Sequence, residues 1–153
     1  MKLCLGVVLI FFCTIIGYFL AGKYIDRKKF YNDFLNFNQV LKREILFNKK
    51  TLVEIINAQN NSSEFYAILC DNVINKHFFI ALNYLNLDDK KFFLSYTKNL
   101  GTSDIDTQID FINITNEVLV DKFNQSIKQE KKYKTLYIKM GVLIGLMLMV
   151  IVL

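Results

Sequence analysis

The sequence contains no proline and no tryptophan among its 153 residues, and it has only six glycines, three cysteines and one histidine. Proline and glycine are the residues that most often interrupt helices, so their scarcity favours long helices over a fold rich in turns. Gly101 is the only glycine between positions 23 and 140. We therefore predict an all-α protein.

The residues that carry chemistry form no recognisable catalytic pattern. His77, the only histidine, lies seven residues from Cys70, or about 10 Å along a helix axis, which is too far for direct proton transfer. A Gly-rich phosphate loop, a Cys-x-x-Cys pair and a serine nucleophile elbow are all missing. Asp104, Asp106 and Asp110 lack the spacing of a calcium loop. We expect no enzymatic activity, no metal site and no cofactor.

The three cysteines are predicted to be unpaired. Cys4 and Cys13 lie nine residues apart, so on a helix they face opposite sides and are separated by about 13 Å, beyond the reach of a disulfide. Cys70 has no neighbouring cysteine in the sequence. Unpaired thiols favour a reducing compartment such as the cytoplasm.

Charged residues are absent from two stretches, residues 3–22 and 140–153. Twenty helical residues span about 30 Å, the thickness of the hydrocarbon layer. The second stretch becomes long enough if it begins at Thr135 and Lys139 reaches the headgroups. We predict transmembrane helices at 1–22 and 135–153, with a helical bundle and basic stalks at 23–134. A cleaved signal peptide is disfavoured because no small-x-small cleavage site follows the first stretch.

Basic residues flank the two apolar stretches. Residues 1–29 and 128–153 carry ten Lys or Arg and two acids, whereas the residues between them carry nine basic and twelve acidic side chains. Nine of the ten flanking basic residues lie toward the middle of the chain. The positive-inside rule therefore places the bundle in the cytoplasm, and anionic lipid attracts the same clusters. The basic pI needs no nucleic-acid partner.

Apolar residues in the first half of the bundle recur at helical spacing. A stripe follows the first apolar stretch at steps of four, three, four and four: Phe30, Phe34, Phe37, Leu41 and Ile45. A break is predicted near residues 48–50, and a short helix follows around 52–56. Residues 57–63 are predicted to be a loop, with Ser63 capping the next helix.

Two further helices are predicted before Gly101, a short one at 77–86 and another at 89–100 capped by Asp88. The last helix is predicted to begin at Asp104. Its expected core stripe is Ile105, Ile109, Ile112, Leu119, Phe123 and Ile127.

The residues between the last two helices form the candidate turn. Gly101 suits the left-handed end of a helix, and Ser103-x-x-Asp106 forms a weak capping box in which Asp replaces Glu or Gln. Capping does not require Gln108, whose amide can reach a neighbouring helix or a partner. We take Gly101 and Ser103 as structural turn residues, and Gln108 and Asp104 as candidate partner contacts.

Small residues recur at four-residue spacing in both predicted transmembrane helices. Gly141 and Gly145 form a Gly-x-x-x-Gly motif in the second, and Gly17 and Ala21 follow Cys13 in the first. Small residues let two helices approach closely in lipid. We predict that these positions pack transmembrane helices together.

Residues 100–108, Leu-Gly-Thr-Ser-Asp-Ile-Asp-Thr-Gln, resemble the Leu-Gly-x-Ser-Asp-x-x-x-Gln signature of the stage III sporulation protein AB family of endospore-forming bacteria. The chain is also similar to the family in the order of three further features. These are a basic segment after the first apolar stretch, Glu44-Ile45 at the end of the first long helix, and a Lys-rich stalk before the last stretch. The chain departs from the family at residues 50–53, which lack the usual prolines, and in having no Ala-Trp pair.

The resemblance implies a non-enzymatic platform component of the channel complex between mother cell and forespore. Its soluble part would be similar to the cytoplasmic domains of type II secretion inner-membrane platform proteins. The implied partners are a secretion-type ATPase, stage III sporulation protein AA, and other stage III channel proteins. The implied location is the mother-cell membrane around the forespore. A septal or divisome-type helical membrane scaffold is the alternative, and the sequence is compatible with a homo-oligomer.

Overall fold

A computed structural model describes residues 2–48, 50–58 and 63–152, and every regular element in these ranges is helical. The all-α prediction is thus confirmed for this part of the chain. Residues 59–62, on which the predicted loop at 57–63 mainly rests, lie outside the described residues. The helices are α1 Lys2–Arg43, a π-helical turn Glu44–Asn48, α2 Leu52–Ala58, α3 Glu64–Val73, α4 Leu87–Asn99 and α5 Ile105–Val152.

The chain divides into two compact units. The terminal unit comprises the residues up to Lys28 and those from Gln125 onward, and the central unit is Lys29–Asn124. With no proline to interrupt them, α1 reaches 42 residues and α5 reaches 48. Each of these helices contributes to both units.

The core of the central unit is built around aromatic side chains of α1. Phe30 lies edge-on to Phe65 of α3 and to Phe93 of α4, with ring centroids 5.4 Å apart in both pairs. Each such pair contributes about 0.5–1.5 kcal/mol beyond the burial of its area. The predicted α1 stripe is confirmed by burial at four of its five positions: Phe30, Phe34, Phe37 and Leu41.

A buried polar bridge joins three helices of the central unit. The Asn38 Nδ2 group of α1 donates to the backbone oxygen of Ile112 in α5 at 3.0 Å, and the Tyr96 hydroxyl of α4 donates to Asn38 Oδ1 at 3.0 Å. Burial raises the pKa of Tyr96, so this hydroxyl stays a neutral donor. A buried polar group without a hydrogen-bond partner is costly. These hydrogen bonds therefore fix the register of α1 against α5.

An ion pair links α4 to α5 in the same unit. Lys122 Nζ lies 3.0 Å from Asp89 Oδ1, and the Asp89 side chain is almost completely buried. The same ammonium lies 5.3 Å from the centre of the Phe92 ring. Asp89 is in the first turn of α4, where the helix N-terminus also favours an acid.

The helix predicted at residues 77–86 is absent. After α3 the backbone turns through Lys76, whose φ of 56° is left-handed, and the chain continues to α4 without regular structure. From this irregular segment Ile80 and Leu85 are each buried in the core, whereas Phe79 is exposed. Their burial does not need a helix, and Phe, Ile and Asn are weak helix formers.

Two predicted helix starts differ from the structure. The N-cap position of α4 is Asn86, so Asp88 lies in the first turn of the helix and does not cap it. Ser63 does occupy the N-cap position of α3, but its side chain makes no capping hydrogen bond. The first-turn acid still complements the helix dipole.

The predicted core stripe of α5 is confirmed in part, because Ile112 and Leu119 are buried and Phe123 packs against the core. Ile105 is 57 % exposed and does not belong to the core. The buried residues in this part of α5 follow one another at steps of four, three and four: Gln108, Ile112, Thr115 and Leu119. The face of α5 that packs against the core therefore includes two polar side chains.

In the terminal unit, the two ends of the chain form an antiparallel helix pair. The Tyr24 and Tyr133 rings stack with centroids 4.4 Å apart, and Lys28 Nζ lies 2.7 Å from Glu130 Oε2. Both contacts join the basic segments that follow the first apolar stretch and precede the second. The aromatic stack contributes more than the partly exposed ion pair.

One helix in the described part of the chain, Ile105–Ile151, is long and apolar enough to cross a membrane. Only 11 % of its most apolar stretch is buried within the protein. The core helix of a soluble protein would instead be mostly buried.

Candidate functional site

The turn between α4 and α5 depends on a glycine. Gly101 has a φ of +71°, a left-handed conformation in which a side chain is strained. The preceding Leu100 closes α4 by donating its N–H to Tyr96 O at 3.1 Å. The Thr102 hydroxyl then donates to Asn99 O at 3.0 Å. A glycine at position 101 thus lets the chain leave α4 in a tight, hydrogen-bonded turn.

Gln108 lies inside this turn. Its Oε1 atom accepts the backbone N–H of Gly101 at 3.0 Å and the hydroxyl of Ser103 at 3.4 Å. The side chain is only 5 % exposed. Gln108 therefore joins the end of α4 to the start of α5, and a side chain this buried offers a partner little surface. The structure thus gives Gln108 a role in holding the turn, and a direct contact of Gln108 with a partner stays a prediction.

Asp104, and not Ser103, caps α5. Asp104 Oδ2 accepts the backbone N–H of Thr107 at 3.2 Å. Hydrogen bonds from the Thr107 side chain and backbone hold the pKa of Asp104 below its usual value. The predicted Ser103-x-x-Asp106 capping box does not form, because the Ser103 hydroxyl donates to Gln108 instead. Asp104 is exposed, so its predicted role as a partner contact stays a prediction.

An apolar pocket of about 230 Å³ lies beside the turn. Helix α1, the π-helical turn, α2 and the turn before α5 all contribute to its walls. The lining residues are mainly aliphatic: Leu41, Ile45, Lys50, Leu52, Ile55, Leu100, Gly101, Ser103, Ile105 and Gln108. The Gly101–Ser103–Gln108 hydrogen bonds therefore form part of the wall of a binding-competent cavity.

The one cation of the pocket wall is already paired. Lys50 Nζ lies 2.9 Å from Glu44 Oε2, in the π-helical turn that ends α1. A hydrogen bond from Asn48 and the neighbouring Lys50 hold the pKa of Glu44 below its usual value. Glu44 is thus ionised at neutral pH and neutralises the cation. This part of the site carries little net charge.

The small residues predicted to pack transmembrane helices belong to the terminal unit. A Cβ atom added to Gly17 would lie 2.5 Å from the backbone oxygen of Tyr137, and one added to Gly141 would lie 2.7 Å from that of Cys13. Gly145 meets the backbone of Ile10 equally closely, and Ala21 is fully buried. At these positions the two backbones are too close for a larger side chain.

The sequence predicted the residues of the turn better than their roles. Gly101, Ser103 and Gln108 come together as one hydrogen-bonded group, with Asp104 facing outward beside them. The pocket itself was missed, because it is assembled from segments about sixty residues apart. The burial of Gln108 had a readable signal, namely its position four residues before Ile112 on the buried face of α5.

The fold so described is that of a small all-helical protein with one helix able to cross a membrane. The chain belongs to the stage III sporulation protein AB family, whose model matches residues 2–153. The family resemblance inferred from residues 100–108 is thereby confirmed, and the protein is a stage III sporulation protein. Neither the curated proteins nor the solved structures contain a significant match to the chain.

Proposed function

We propose that this protein is a non-enzymatic platform component of the secretion-like channel complex between mother cell and forespore. It docks a cytoplasmic ATPase of the secretion type, for which stage III sporulation protein AA is the candidate, and it assembles with other stage III channel proteins. Membership of the sporulation family carries the proposal. The helical central unit with its open apolar pocket supports a binding role.

The terminal unit supports membrane insertion by both ends of the chain. Its two helices meet through glycine backbones, a mode of packing common in lipid. Large apolar side chains of this unit point away from the protein, which is costly in water and favourable in lipid. The most exposed are Val8, Phe11, Phe12, Phe19, Leu143, Met147, Val150 and Ile151. We propose that residues 1–22 and 135–153 cross the mother-cell membrane around the forespore.

The distribution of charge supports a cytoplasmic central unit. Nine of the ten basic residues that flank the apolar stretches lie on the side of the central unit. Translocation of such clusters across a membrane is disfavoured, and anionic lipid on the cytoplasmic face attracts them. In this orientation the pocket beside the turn is accessible to a cytoplasmic ATPase.

The chemistry of the pocket supports binding without catalysis. The residues that line it include no histidine, cysteine or carboxylate. Ser103, its only hydroxyl, donates to the Gln108 amide, which is not a base. His77 lies 3.3 Å from Asp71, on a segment that does not line the pocket. The protein is therefore proposed to act through its partners.

The test is co-purification of the ATPase with the tagged full chain from detergent-solubilised membranes of sporulating cells. An equally abundant, unrelated membrane protein with the same tag is the control. We expect the ATPase to be retained by this chain alone, and we expect cells without the protein to stop during sporulation. If sporulation needs the protein but the ATPase is never retained, the scaffold alternative replaces the platform proposal.

A further inference from the structure

The pocket beside the turn has the size of a side-chain site. Its volume of about 230 Å³ is below the roughly 300–1,000 Å³ of most small-molecule and cofactor sites. Its walls are mainly aliphatic, formed by residues such as Leu41, Leu52 and Ile55. Protein partners commonly bind by placing one apolar anchor in a cavity of this kind.

The pocket wall also contains an unused hydrogen-bond donor. Gln108 lines the pocket, is 5 % exposed and uses its Oε1 atom within the turn. Its Nε2 group is buried and has no acceptor among the described residues. A buried donor without an acceptor costs about 1–3 kcal/mol. This atom has no surface open to a partner, so it is a cost within the turn and not a contact.

Apolar side chains are exposed next to the pocket. Ile105 lines the pocket and is 57 % exposed, while Phe47 and Val53 lie within two residues of the lining residues Ile45 and Leu52. Phe47 is 77 % exposed. Isolated apolar residues on a surface need no explanation, but several around one apolar cavity are typical of a protein-binding surface.

The unpaired charge beside the pocket is acidic. Asp104 and Asp106 flank Ile105, and both are exposed without an ion pair in the described part of the chain. Lys50, the cation of the wall, is neutralised by Glu44. Lys or Arg side chains of a partner would therefore find complementary charge at this edge of the pocket.

We propose that the pocket receives one apolar side chain from a segment of the ATPase that also presents Lys or Arg to Asp104 and Asp106. The inference rests on the docking role proposed above and assigns its contact surface. The apolar anchor supplies the affinity, because it is desolvated on binding. The basic residues supply orientation and a faster encounter.

A matched pair of substitutions on α5 tests the apolar anchor. Ile105→Gln removes an exposed apolar side chain at the pocket, whereas Ile114→Gln removes one that is 66 % exposed on the same helix and does not line the pocket. The purified full chains in micelles are titrated with the purified ATPase. We expect Ile105→Gln to weaken binding at least tenfold and Ile114→Gln to leave it within twofold, with similar melting temperatures for both.

A second pair tests the acidic edge. Asp106→Lys reverses an exposed charge beside Ile105, and Asp121→Lys makes the same change further along α5. We expect Asp106→Lys to weaken binding several-fold and to reduce the salt dependence of binding, because it removes a screened attraction. Asp121→Lys should change neither quantity.

The outcomes separate this inference from the docking role itself. If the wild-type chain does not bind the ATPase, the proposed docking role fails and the pocket assignment fails with it. If the wild-type chain binds but Ile105→Gln and Ile114→Gln bind equally well, docking stands and the pocket is the wrong surface. If only the Asp106→Lys result is missing, the basic character assigned to the partner segment is wrong.

Discussion

Gln108 holds the turn between α4 and α5 from within the protein. One oxygen accepts hydrogen bonds from Gly101 N–H and from Ser103, so a single side chain organises both ends of the turn. Capping needs no glutamine at this position, and this hydrogen-bonding role explains the residue without invoking a direct partner contact.

Replacing Gln108 by Ala should lower the free energy of unfolding by about 1–2 kcal/mol, because the part-buried hydrogen bonds from the Gly101 N–H and the Ser103 hydroxyl are lost. Asp110→Ala is the control, since Asp110 is exposed two residues further along α5. That substitution should stay within about 0.5 kcal/mol of the wild type. The measurement is unfolding of the full chain in micelles followed by circular dichroism. Equal stability of the two variants would contradict the internal role of Gln108.

Asp104 gives the turn a pH dependence. Its pKa is lowered in the folded chain by hydrogen bonds from Thr107, so its contribution to stability is present above the unfolded pKa of about 3.9. That contribution is lost as the pH falls through the folded pKa. Asp104→Ala should therefore unfold more easily than the wild type at pH 7, and the difference should shrink by pH 3. A difference that grows on acidification would contradict the assignment of Asp104 as the cap.

The turn could be predicted from residue types and spacing. In a glycine-poor chain, a glycine followed by a cluster of polar residues is typical of the end of one helix and the start of the next. The capping residue could not be predicted in the same way, because Ser103 and Asp104 are both good N-cap residues. In the structure the Ser103 hydroxyl donates to Gln108, and Asp104 is left as the cap. The orphaned Nε2 group of Gln108 has no signature in the sequence at all.

The two ends of the chain pair as helices through glycines. A methyl group at Gly141 would lie 2.7 Å from the Cys13 backbone oxygen, closer than real Cβ contacts allow. The same addition at Gly22 meets nothing within 4 Å. Gly22 therefore serves as the control for the effect of adding a methyl group where the two helices approach closely.

Gly141→Ala should destabilise the terminal helix pair by about 1–3 kcal/mol, as expected when extra volume is forced into a packed contact. Gly22→Ala should be neutral or slightly stabilising, because Ala is the better helix former. Titration of the full chain in mixed micelles with increasing sodium dodecyl sulfate, followed by helix content, compares the two. If both variants lose helix at the same detergent fraction, the glycine contact does not hold the pair together.

Helices that bury one regular apolar face could be predicted from the sequence. The stripe of α1 places phenylalanines at every turn, and the core of the central unit forms on it. The conformation of residues 77–86 could not be predicted in this way. Their backbone is irregular, and each apolar side chain enters the core individually. The predicted face of α5 was right at Ile112 and Leu119, but it left out Gln108 and Thr115, because a purely apolar stripe does not include polar positions.

The chain as a whole separates apolar surface from charge. Many of its exposed apolar side chains lie toward the two ends of the sequence, and basic residues cluster in the sequence between these ends and the central unit. The central unit carries nearly all the acidic residues. This distribution supports the proposed insertion of both ends in a membrane, with the basic segments on the cytoplasmic side.

The location of the central unit is tested by cysteine labelling. The three native cysteines are replaced by Ala, and single cysteines are introduced at Ser95, which is exposed on α4, or at Lys2. The variants are expressed in non-sporulating cells, where the protein is inserted in the plasma membrane, and these cells are treated with a membrane-impermeant maleimide before or after lysis. We expect Lys2→Cys to react in intact cells, whereas Ser95→Cys reacts only after lysis. Rapid labelling of Ser95→Cys in intact cells would place the central unit outside the cytoplasm and contradict the account.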